Sequence, residues 1–289
     1  MNYLKQVQTG IDFIETNLDY DFSLREVAQK ANISQWHYQR IFRALTNETL
    51  KTYIRSRRLA NALEKLLVSD HKIIDIAITA GFESQESFTR AFKQAFDMTP
   101  NQARKVGKKN LFLKKVKFDT EYLKHIHSNI SLKPEIYTQN RMRLVGMRTE
   151  FYGIDSEKNN MADKLPSLWN EFLPRMVEIK DSISGFAYGV IQQTKEESDL
   201  LEYYAVVEVT NNTVLPVGMV NLEIPKTKYA KFTHKGNVKN INNTVNYIYS
   251  SWLMQSNELH TYAPDVEIYG SEYIPDSDDS IVYYSIPIE

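Results

Sequence analysis

The chain has 289 residues, with 35 Lys+Arg, 36 Asp+Glu and no cysteine, and this length allows one large or two ordinary domains. The lack of cysteine excludes disulfides, thiolate metal sites and cysteine nucleophiles. No apolar run approaches the ~20 residues of a membrane span, and the N-terminus lacks an apolar signal core, so we expect a cytoplasmic protein.

The net charge of −1 conceals an asymmetry along the chain. Residues 1–118 contain 20 Lys+Arg against 12 Asp+Glu and carry +8, whereas residues 119–289 contain 15 against 24 and carry −9. This division predicts that only the first part meets a polyanion such as nucleic acid.

Residues 1–105 show helical periodicity almost without strand signals. Apolar residues first recur every three or four positions, which predicts an amphipathic helix. Ser23 and Glu26 then form a capping-box pattern at the start of the helix SLREVAQKA. After a short turn, Ser34 is placed to cap a third helix, QWHYQRIFRALT.

The same pattern returns later in this region. Residues 73–80 read IIDIAITA, a turn follows at Gly81, and Ser84 is placed to cap QESFTRAFKQAF. Each copy has the helix-turn-helix plan, and glycine suits a turn position with positive φ. Two copies with a basic excess favour DNA reading over the alternative, a helical bundle without a DNA role.

A long helix is predicted between the copies, over residues 49–69, because no Pro or Gly interrupts its apolar stripe. About 18 residues at ~1.5 Å each span ~27 Å, which could hold two reading helices near one DNA turn of ~34 Å apart. Arg55, Arg57 and Arg58 on this helix either contact phosphates or form a solvated face.

Four stretches carry a family resemblance: SQWHYQRIF at 34–42, TYIRSRRL at 52–59, DIAITAGFESQESFTRAFKQAF at 75–96, and Thr99-Pro100. With them, residues 3–105 resemble the AraC/XylS family of transcription factors, in its Rob/MarA/SoxS branch. The resemblance implies that two helices bind adjacent major grooves of promoter DNA, and that RNA polymerase is a further partner.

By position, the resemblance also assigns the DNA-contact residues of the two reading helices. They are Gln35, Trp36, Gln39 and Arg40 in the first helix, and Gln85, Glu86, Ser87, Thr89 and Arg90 in the second. Arginine can pair with guanine or clamp a phosphate, and glutamine can read adenine. Trp36 either packs against a sugar or thymine methyl group or fills the core.

Two of these positions depart from the branch. Gln35 stands where a lysine is usual, and Glu86 stands where a second glutamine is usual. Both changes make the interface less positive, so the branch's target sequence does not transfer to this chain. We interpret Glu86 as a residue that narrows the set of sites accepted by the second helix, since a carboxylate can accept from cytosine but repels phosphate.

The second half has a different character. A basic stretch over residues 108–130 is predicted to link a DNA-binding domain, residues 1–107, to a small-molecule-binding domain, residues 131–289. In the latter, the order strand, helix, strand, strand is predicted twice. We therefore expect an all-α double helix-turn-helix domain followed by an α+β domain of two pseudo-symmetric repeats in two antiparallel layers.

Weak local matches at 229–236 (YAKFTHKG), 264–269 (PDVEIY) and 283–289 (YYSIPIE) make this half similar to the GyrI-like effector-binding domain. The resemblance implies a groove between the repeats with a pocket glutamate, which we place at Glu267. Period-2 alternation puts Tyr269 on the same strand face. A carboxylate among aromatic rings suits a small aromatic or cationic effector. The candidate pocket residues are Glu267, Tyr269, Trp169, Tyr188, Tyr204 and Trp252.

Other interpretations of the second half remain open. Glu267 and Tyr269 could serve a hydrolase, the domain could be a protein-interaction module, or the aromatic residues could simply fill a core around a solvated Glu267. No cofactor is expected, because no Gly-rich phosphate loop appears. No metal site is expected either, since His125 and His127 lack partner ligands nearby in sequence.

Overall fold

A computed structural model describes residues 3–107, 133–183, 185–194, 198–210 and 214–289. The predicted linker and the pair His125 and His127 lie outside these ranges. The chain divides into two compact units, a helical unit of residues 4–119 and a sheet unit of residues 120–289 together with residues 1–3. Within the described ranges, no helix is both long and apolar enough to cross a membrane.

The helical unit contains the two predicted helix-turn-helix copies, α2–α3 and α5–α6, with the long helix α4 between them. Its described helices are α1 (Tyr3–Thr16), α2 (Leu24–Ala31), α3 (Gln35–Thr46), α4 (Leu50–Val68), α5 (Ile73–Thr79), α6 (Gln85–Phe96) and α7 (Pro100–Val106). Helix α7 was not predicted from the sequence. It begins at the proline of the Thr99-Pro100 pair, a favoured first helical residue.

Local capping explains where these helices begin. The Ser23 hydroxyl accepts from the Glu26 backbone N–H at 3.2 Å, and the Glu26 carboxylate accepts from the Ser23 backbone N–H at 2.7 Å, which confirms the capping box. At the starts of α3 and α6, the Ser34 and Ser84 hydroxyls accept from the backbone N–H groups of His37 and Ser87, without a reciprocal bond of the capping-box kind. Gly81 has a φ of +79°, as its turn position predicts.

Helix α4 is the scaffold of the helical unit. Arg57 forms a bidentate ion pair with Glu15 of α1, at 2.8 and 2.9 Å, so its guanidinium ties α4 to α1 and is not part of a solvated face. Farther along α4, Lys65 pairs with Asp19 at 2.6 Å. The side chains that join α4 to the second copy form one apolar cluster: Leu59, Ala62, Leu63, Leu66, Ile76, Ala77, Ala80, Phe88, Phe92, Phe96 and Ala103.

The sheet unit contains one eight-stranded antiparallel sheet in the order β1-β6-β8-β7-β3-β4-β2-β5. Its strands are β1 (Glu135–Gln139), β2 (Met142–Tyr152), β3 (Ala187–Gln193), β4 (Leu200–Glu208), β5 (Val220–Ile224), β6 (Thr227–Lys235), β7 (Asp265–Tyr269) and β8 (Ile281–Ile288). Its helices are α8 (Met161–Phe172), followed by a 3-10 turn (Leu173–Glu178), and α9 (Ile241–Tyr247), which continues through a π turn (Ile248–Trp252) into a last α turn (Leu253–Gln255).

The predicted repeat is present as β2-α8-β3-β4 and β6-α9-β7-β8. The expectation of two antiparallel layers is wrong, because β3 of the first repeat pairs directly with β7 of the second and joins both into one sheet. Strand β5, which the sequence analysis missed, pairs with the outer edge of β2.

The strand register defines two faces of this sheet. On the helix-covered face, Tyr203 of β4 contacts Trp169 of α8, and His234 of β6 contacts Thr244 of α9. The opposite face carries its own apolar core: Met142, Leu144, Tyr188, Val190, Tyr204, Val206, Ile224, Tyr229 and Val266. Consecutive residues of a strand therefore belong to different environments.

Candidate DNA interface and ligand site

Helix α6 has one face in the core and one polar face. Phe88 and Phe92 are fully buried. Gln85, Glu86 and Arg90 are exposed, and Ser87 and Thr89 are half-buried. The Ser87 hydroxyl donates to the backbone carbonyl of Ser84 at 2.9 Å, so it stabilises the first turn of the helix. The five predicted contact residues of α6 are thus accessible or nearly so, in the form that base reading requires.

Helix α3 differs from α6 in the exposure of its predicted contact residues, although the two sequences match. Gln35, Trp36, Gln39 and Arg40 are all buried, and none of the four exposes more than 9% of its surface. The Trp36 ring stacks on His37 at 5.4 Å between centroids, and the Arg40 guanidinium lies 5.8 Å from the Trp36 ring. Of the two predicted reading helices, α6 has accessible predicted contact residues in this conformation and α3 has buried ones.

Glu267 lies at the junction of the two repeats, on the helix-covered face of β7. It is 5% exposed, which excludes the interpretation that it is solvated. Its Oε2 accepts from the Tyr203 hydroxyl at 2.6 Å and from the Tyr269 hydroxyl at 2.9 Å. The Trp169 indole N–H donates to the Tyr203 oxygen at 2.9 Å. A chain of hydrogen bonds therefore runs from α8 through β4 to the carboxylate.

Aromatic rings surround this carboxylate. Trp169 meets Tyr269 edge-to-face at 5.1 Å between centroids, and Tyr269 meets Tyr273 in the same manner at 4.9 Å. Burial, reinforced by the charge of Glu267, holds the pKa of Tyr203 and Tyr269 well above the ordinary value of a phenol. Both hydroxyls consequently stay protonated as donors, and donation by phenols stabilises a carboxylate charge.

Gly189 makes this arrangement possible. It is the direct cross-strand partner of Glu267. A Cβ atom at this position would lie 2.1 Å from the Tyr203 hydroxyl and 2.5 Å from Glu267 Oε2. Because Gly189 has no side chain, the Tyr203 hydroxyl and the Glu267 carboxylate can meet at this position. No role was predicted from the sequence for Gly189 or Tyr203.

The structure does not bring Tyr188 and Tyr204 to Glu267. Both belong to the core of the opposite face of the sheet. Gly189 lies beside Glu267, so its neighbour Tyr188 points to the opposite face of the sheet. Tyr203 donates to Glu267, so its neighbour Tyr204 also points to the opposite face. Consecutive residues of a strand point to opposite faces, so Tyr203 and Tyr204 lie on opposite sides of the sheet, and Tyr203 is the member of the pair that donates to Glu267.

Trp252 lies on the helix-covered face but in the second repeat. It packs edge-to-face on Phe232 of β6 at 5.1 Å between centroids, and β6 is two strands from β7. Of the six predicted pocket residues, the structure therefore assembles three: Glu267, Tyr269 and Trp169.

A second buried carboxylate lies on β7, two residues before Glu267 on the same face. Asp265 Oδ2 accepts from the Tyr249 hydroxyl at 2.9 Å and from the Tyr284 hydroxyl at 2.8 Å, and Oδ1 lies 3.1 Å from His260 Nε2. Tyr249 belongs to the π turn after α9. Across the described part of the chain, no group of three or more His, Asp and Glu side chains is arranged to hold a metal ion.

Two known protein families match parts of the chain. The GyrI-like small molecule binding domain matches residues 132–289, and a helix-turn-helix domain matches residues 27–106.

Individual relatives match the first part of the chain. The chain is 39% identical over 104 residues to the regulatory protein SoxS of Escherichia coli K12, which covers 36% of this chain and 97% of SoxS. It is 44% identical over 104 residues to the HTH-type transcriptional regulator YbfP of Bacillus subtilis, which covers 36% of this chain and 35% of YbfP. Among solved structures, SAV2435 bound to tetraphenylphosphonium is similar with a TM-score of 0.45 and 14% identity, over 54% of this chain and 94% of that chain.

Proposed function

Because the chain belongs to the AraC/XylS family of transcription regulators and carries a GyrI-like small-molecule-binding domain, we propose that it is a one-component regulator. Its proposed domains are residues 1–107, which read two adjacent major grooves with α3 and α6, and residues 131–289, which bind a small aromatic or cationic effector at Glu267. RNA polymerase is the proposed protein partner at the promoter.

The observation that supports DNA reading is the polar face of α6, which carries Arg90 and Gln85 at the surface above a core of phenylalanines. An exposed arginine on the polar face of a helix can reach guanine in the major groove. Helix α3 has the matching sequence but buried contact residues. It can therefore meet DNA only in a conformation that exposes Gln39 and Arg40.

Gel retardation of promoter fragments, including the region upstream of the protein's own coding sequence, tests this proposal. Arg90→Ala is expected to cost ~1–3 kcal/mol on the preferred sequence and much less on unrelated DNA, because a bidentate contact to guanine is lost. Lys93→Ala removes the same charge from an exposed position of α6 outside the predicted contact set and is the matched control.

Two outcomes would count against base reading by Arg90. Failure of the wild-type protein to retard any promoter fragment in about 100 mM salt would remove the DNA-binding proposal altogether. An equal loss by Arg90→Ala on all sequences would assign this arginine to a phosphate instead.

The observation that supports effector binding is the buried Glu267 carboxylate, which receives two phenol hydrogen bonds beneath the indole of Trp169. A negative charge inside an apolar and aromatic environment is a favourable partner for an organic cation, through charge attraction and cation–π contact. Residues 119–289 carry a net charge of −9, which also attracts cations to this part of the chain at longer range.

Calorimetric titration with tetraphenylphosphonium, a lipophilic aromatic cation, and with the neutral triphenylphosphine oxide tests this part. Glu267→Gln keeps an oxygen acceptor and the side-chain volume but removes the charge. We expect the cation to bind this variant about tenfold more weakly or worse, a loss of ~1.4 kcal/mol, with little change for the neutral compound.

Equal binding of the cation by both proteins would show that Glu267 is not its counter-charge. Recovery of every ligand unchanged after long incubation is expected for a sensor. If a ligand is hydrolysed and the reaction requires both Glu267 and Tyr269, the function of this site is hydrolysis and not sensing.

A further inference from the structure

Arg58 of α4 contacts the entry segment of the first helix-turn-helix copy. Its Nη2 donates to the backbone carbonyl oxygen of Tyr20 at 2.8 Å. Its guanidinium carbon lies 5.0 Å from the centroid of the Phe22 ring, a cation–π contact. Tyr20 and Phe22 lie just before Ser23, the residue that caps α2, so Arg58 contacts the segment that leads into the first copy.

The other side of the same guanidinium lies against the turn of the second copy. A Cβ atom on Gly81 would lie 2.2 Å from Arg58 Nη1. Gly81 occupies the turn between α5 and α6 with a φ of +79°. Thus Arg58 contacts the segment before α2 and the turn before α6 at once.

A cleft of about 340 Å³ separates the two copies at this place. It is lined by residues 22–24 from the first copy, residues 80–82 from the second, and one face of α4. The Arg58 guanidinium spans this cleft, from the Tyr20 carbonyl oxygen before the first copy to Gly81 in the turn of the second.

The guanidinium is held in place rather than freely solvated. Burial lowers the pKa of Arg58, and the nearby charge of Asp21 opposes this effect. Its Nε is buried and has no hydrogen-bond partner in the part of the chain that the structure describes. A planar guanidinium confined in this way makes a stiff spacer, unlike a flexible surface arginine.

We propose that Arg58 is a positioning residue that sets the offset between the two reading helices, and with it the half-site spacing that the protein accepts on DNA. This inference rests on the proposed reading of two adjacent grooves by one chain. Each added base pair moves one half-site by ~3.4 Å along the duplex and also rotates it around the axis. A stiff contact between the copies therefore rejects the wrong spacing, whereas a compliant one tolerates it.

The test uses the full chain and an operator selected by the wild-type protein from random-sequence DNA. Dissociation constants are measured on this operator and on versions with one base pair removed, or one or two added, between its half-sites. The wild type is expected to lose about tenfold or more in affinity per altered base pair. Arg58→Ala is expected to reduce this discrimination to about threefold or less, while the base preference within each half-site is unchanged.

Arg104→Ala is the matched control. Arg104 also donates from Nη2 to a backbone carbonyl oxygen, that of His71 at 2.6 Å, but this contact ties α7 to the turn before α5. This variant loses an arginine–carbonyl bond without affecting the contact between the copies. It is expected to lower the melting temperature while keeping the spacing preference of the wild type.

Gly81→Ala gives an independent arm, because its methyl group would occupy the position of Nη1. It should relax the spacing preference in the wild-type background and add nothing further in the Arg58→Ala background. Binding that needs only one half-site in the wild type would overturn the proposed two-helix reading itself. If the wild type accepts one half-site spacing, and both Arg58→Ala and Gly81→Ala keep that preference, the role of Arg58 alone would be overturned.

Discussion

At the scale of single residues, the candidate ligand site depends on which of two adjacent tyrosines faces it. Tyr203 donates to the fully enclosed Glu267, whereas Tyr204 donates to Glu202 on the other face of the sheet at 2.7 Å. Glu202 also pairs with the half-exposed Arg148. The Tyr203 hydroxyl therefore donates to a buried carboxylate, and the Tyr204 hydroxyl donates to a partly solvated carboxylate.

Removal of each hydroxyl should consequently have a different effect on stability. Tyr203→Phe is expected to lower the free energy of unfolding by about 1.5–3 kcal/mol, since a hydrogen bond to a buried charged group is lost and the Trp169 N–H loses its acceptor. Tyr204→Phe should cost less than about 1 kcal/mol, because water can replace the hydroxyl. Guanidinium denaturation of both variants measures the difference, and equal losses would contradict the assignment of faces.

At the scale of elements, local signals predicted the helices well. Ser23, Ser34 and Ser84 each satisfy the first backbone N–H groups of their own helix, so a few neighbouring residues decide where it begins. Likewise Glu267 and Tyr269 could be paired in advance because they lie two residues apart in one strand.

Non-local features could not be predicted in this way. The pairing of β3 with β7 joins residues about 80 positions apart, such as Gly189 and Glu267, and no local pattern encodes it. The choice between Tyr203 and Tyr204 follows from that register. Strand β5 is five residues long and lies at an edge, which leaves a weak alternation signal. The π turn carries Tyr249, whose hydroxyl donates to Asp265 on another element, and neither the turn nor this contact has a local sequence signal.

Strand β7 holds two buried carboxylates for which we predict different roles. Asp265→Ala removes the acceptor of two tyrosine hydroxyls, those of Tyr249 and Tyr284, and should destabilise the protein by at least about 2 kcal/mol. Tyr284→Phe, which removes one donor but keeps the acceptor, should cost less. Chemical denaturation monitored by tryptophan fluorescence provides the comparison, and an Asp265→Ala protein as stable as the wild type would refute a structural role for this network.

At the scale of the whole molecule, a basic first part and an acidic second part are joined in one chain, with +8 on residues 1–118 and −9 on residues 119–289. The second part is also rich in buried tyrosine. Burial raises the pKa of Tyr188 to about 12 and holds the pKa of Tyr203 and Tyr269 well above the ordinary value. In the folded sheet unit, these tyrosines therefore stay protonated at alkaline pH values at which they would ionise in the unfolded chain.

This difference predicts a loss of stability in alkali. Above pH ~10 the unfolded chain releases phenol protons that the folded chain retains, so the stability present below pH ~10 falls as the pH rises through the folded pKa values. Each such tyrosine contributes up to ~1.4 kcal/mol per pH unit. Urea midpoints between pH 8 and pH 11.5 should show the decline, and Tyr188→Phe should reduce its slope. A flat midpoint across this range would contradict the predicted burial.

The β3–β7 pairing has a consequence for the order in which the molecule is built. All the predicted DNA-contact residues precede residue 107, whereas the candidate carboxylate site needs Tyr203 of the first repeat and Glu267 of the second in register. Closing so long a loop is slow compared with forming helices from local contacts. During synthesis, the two proposed reading helices can thus form before the proposed effector site exists, and if both proposals hold, each newly made molecule passes through a stage without a ligand response.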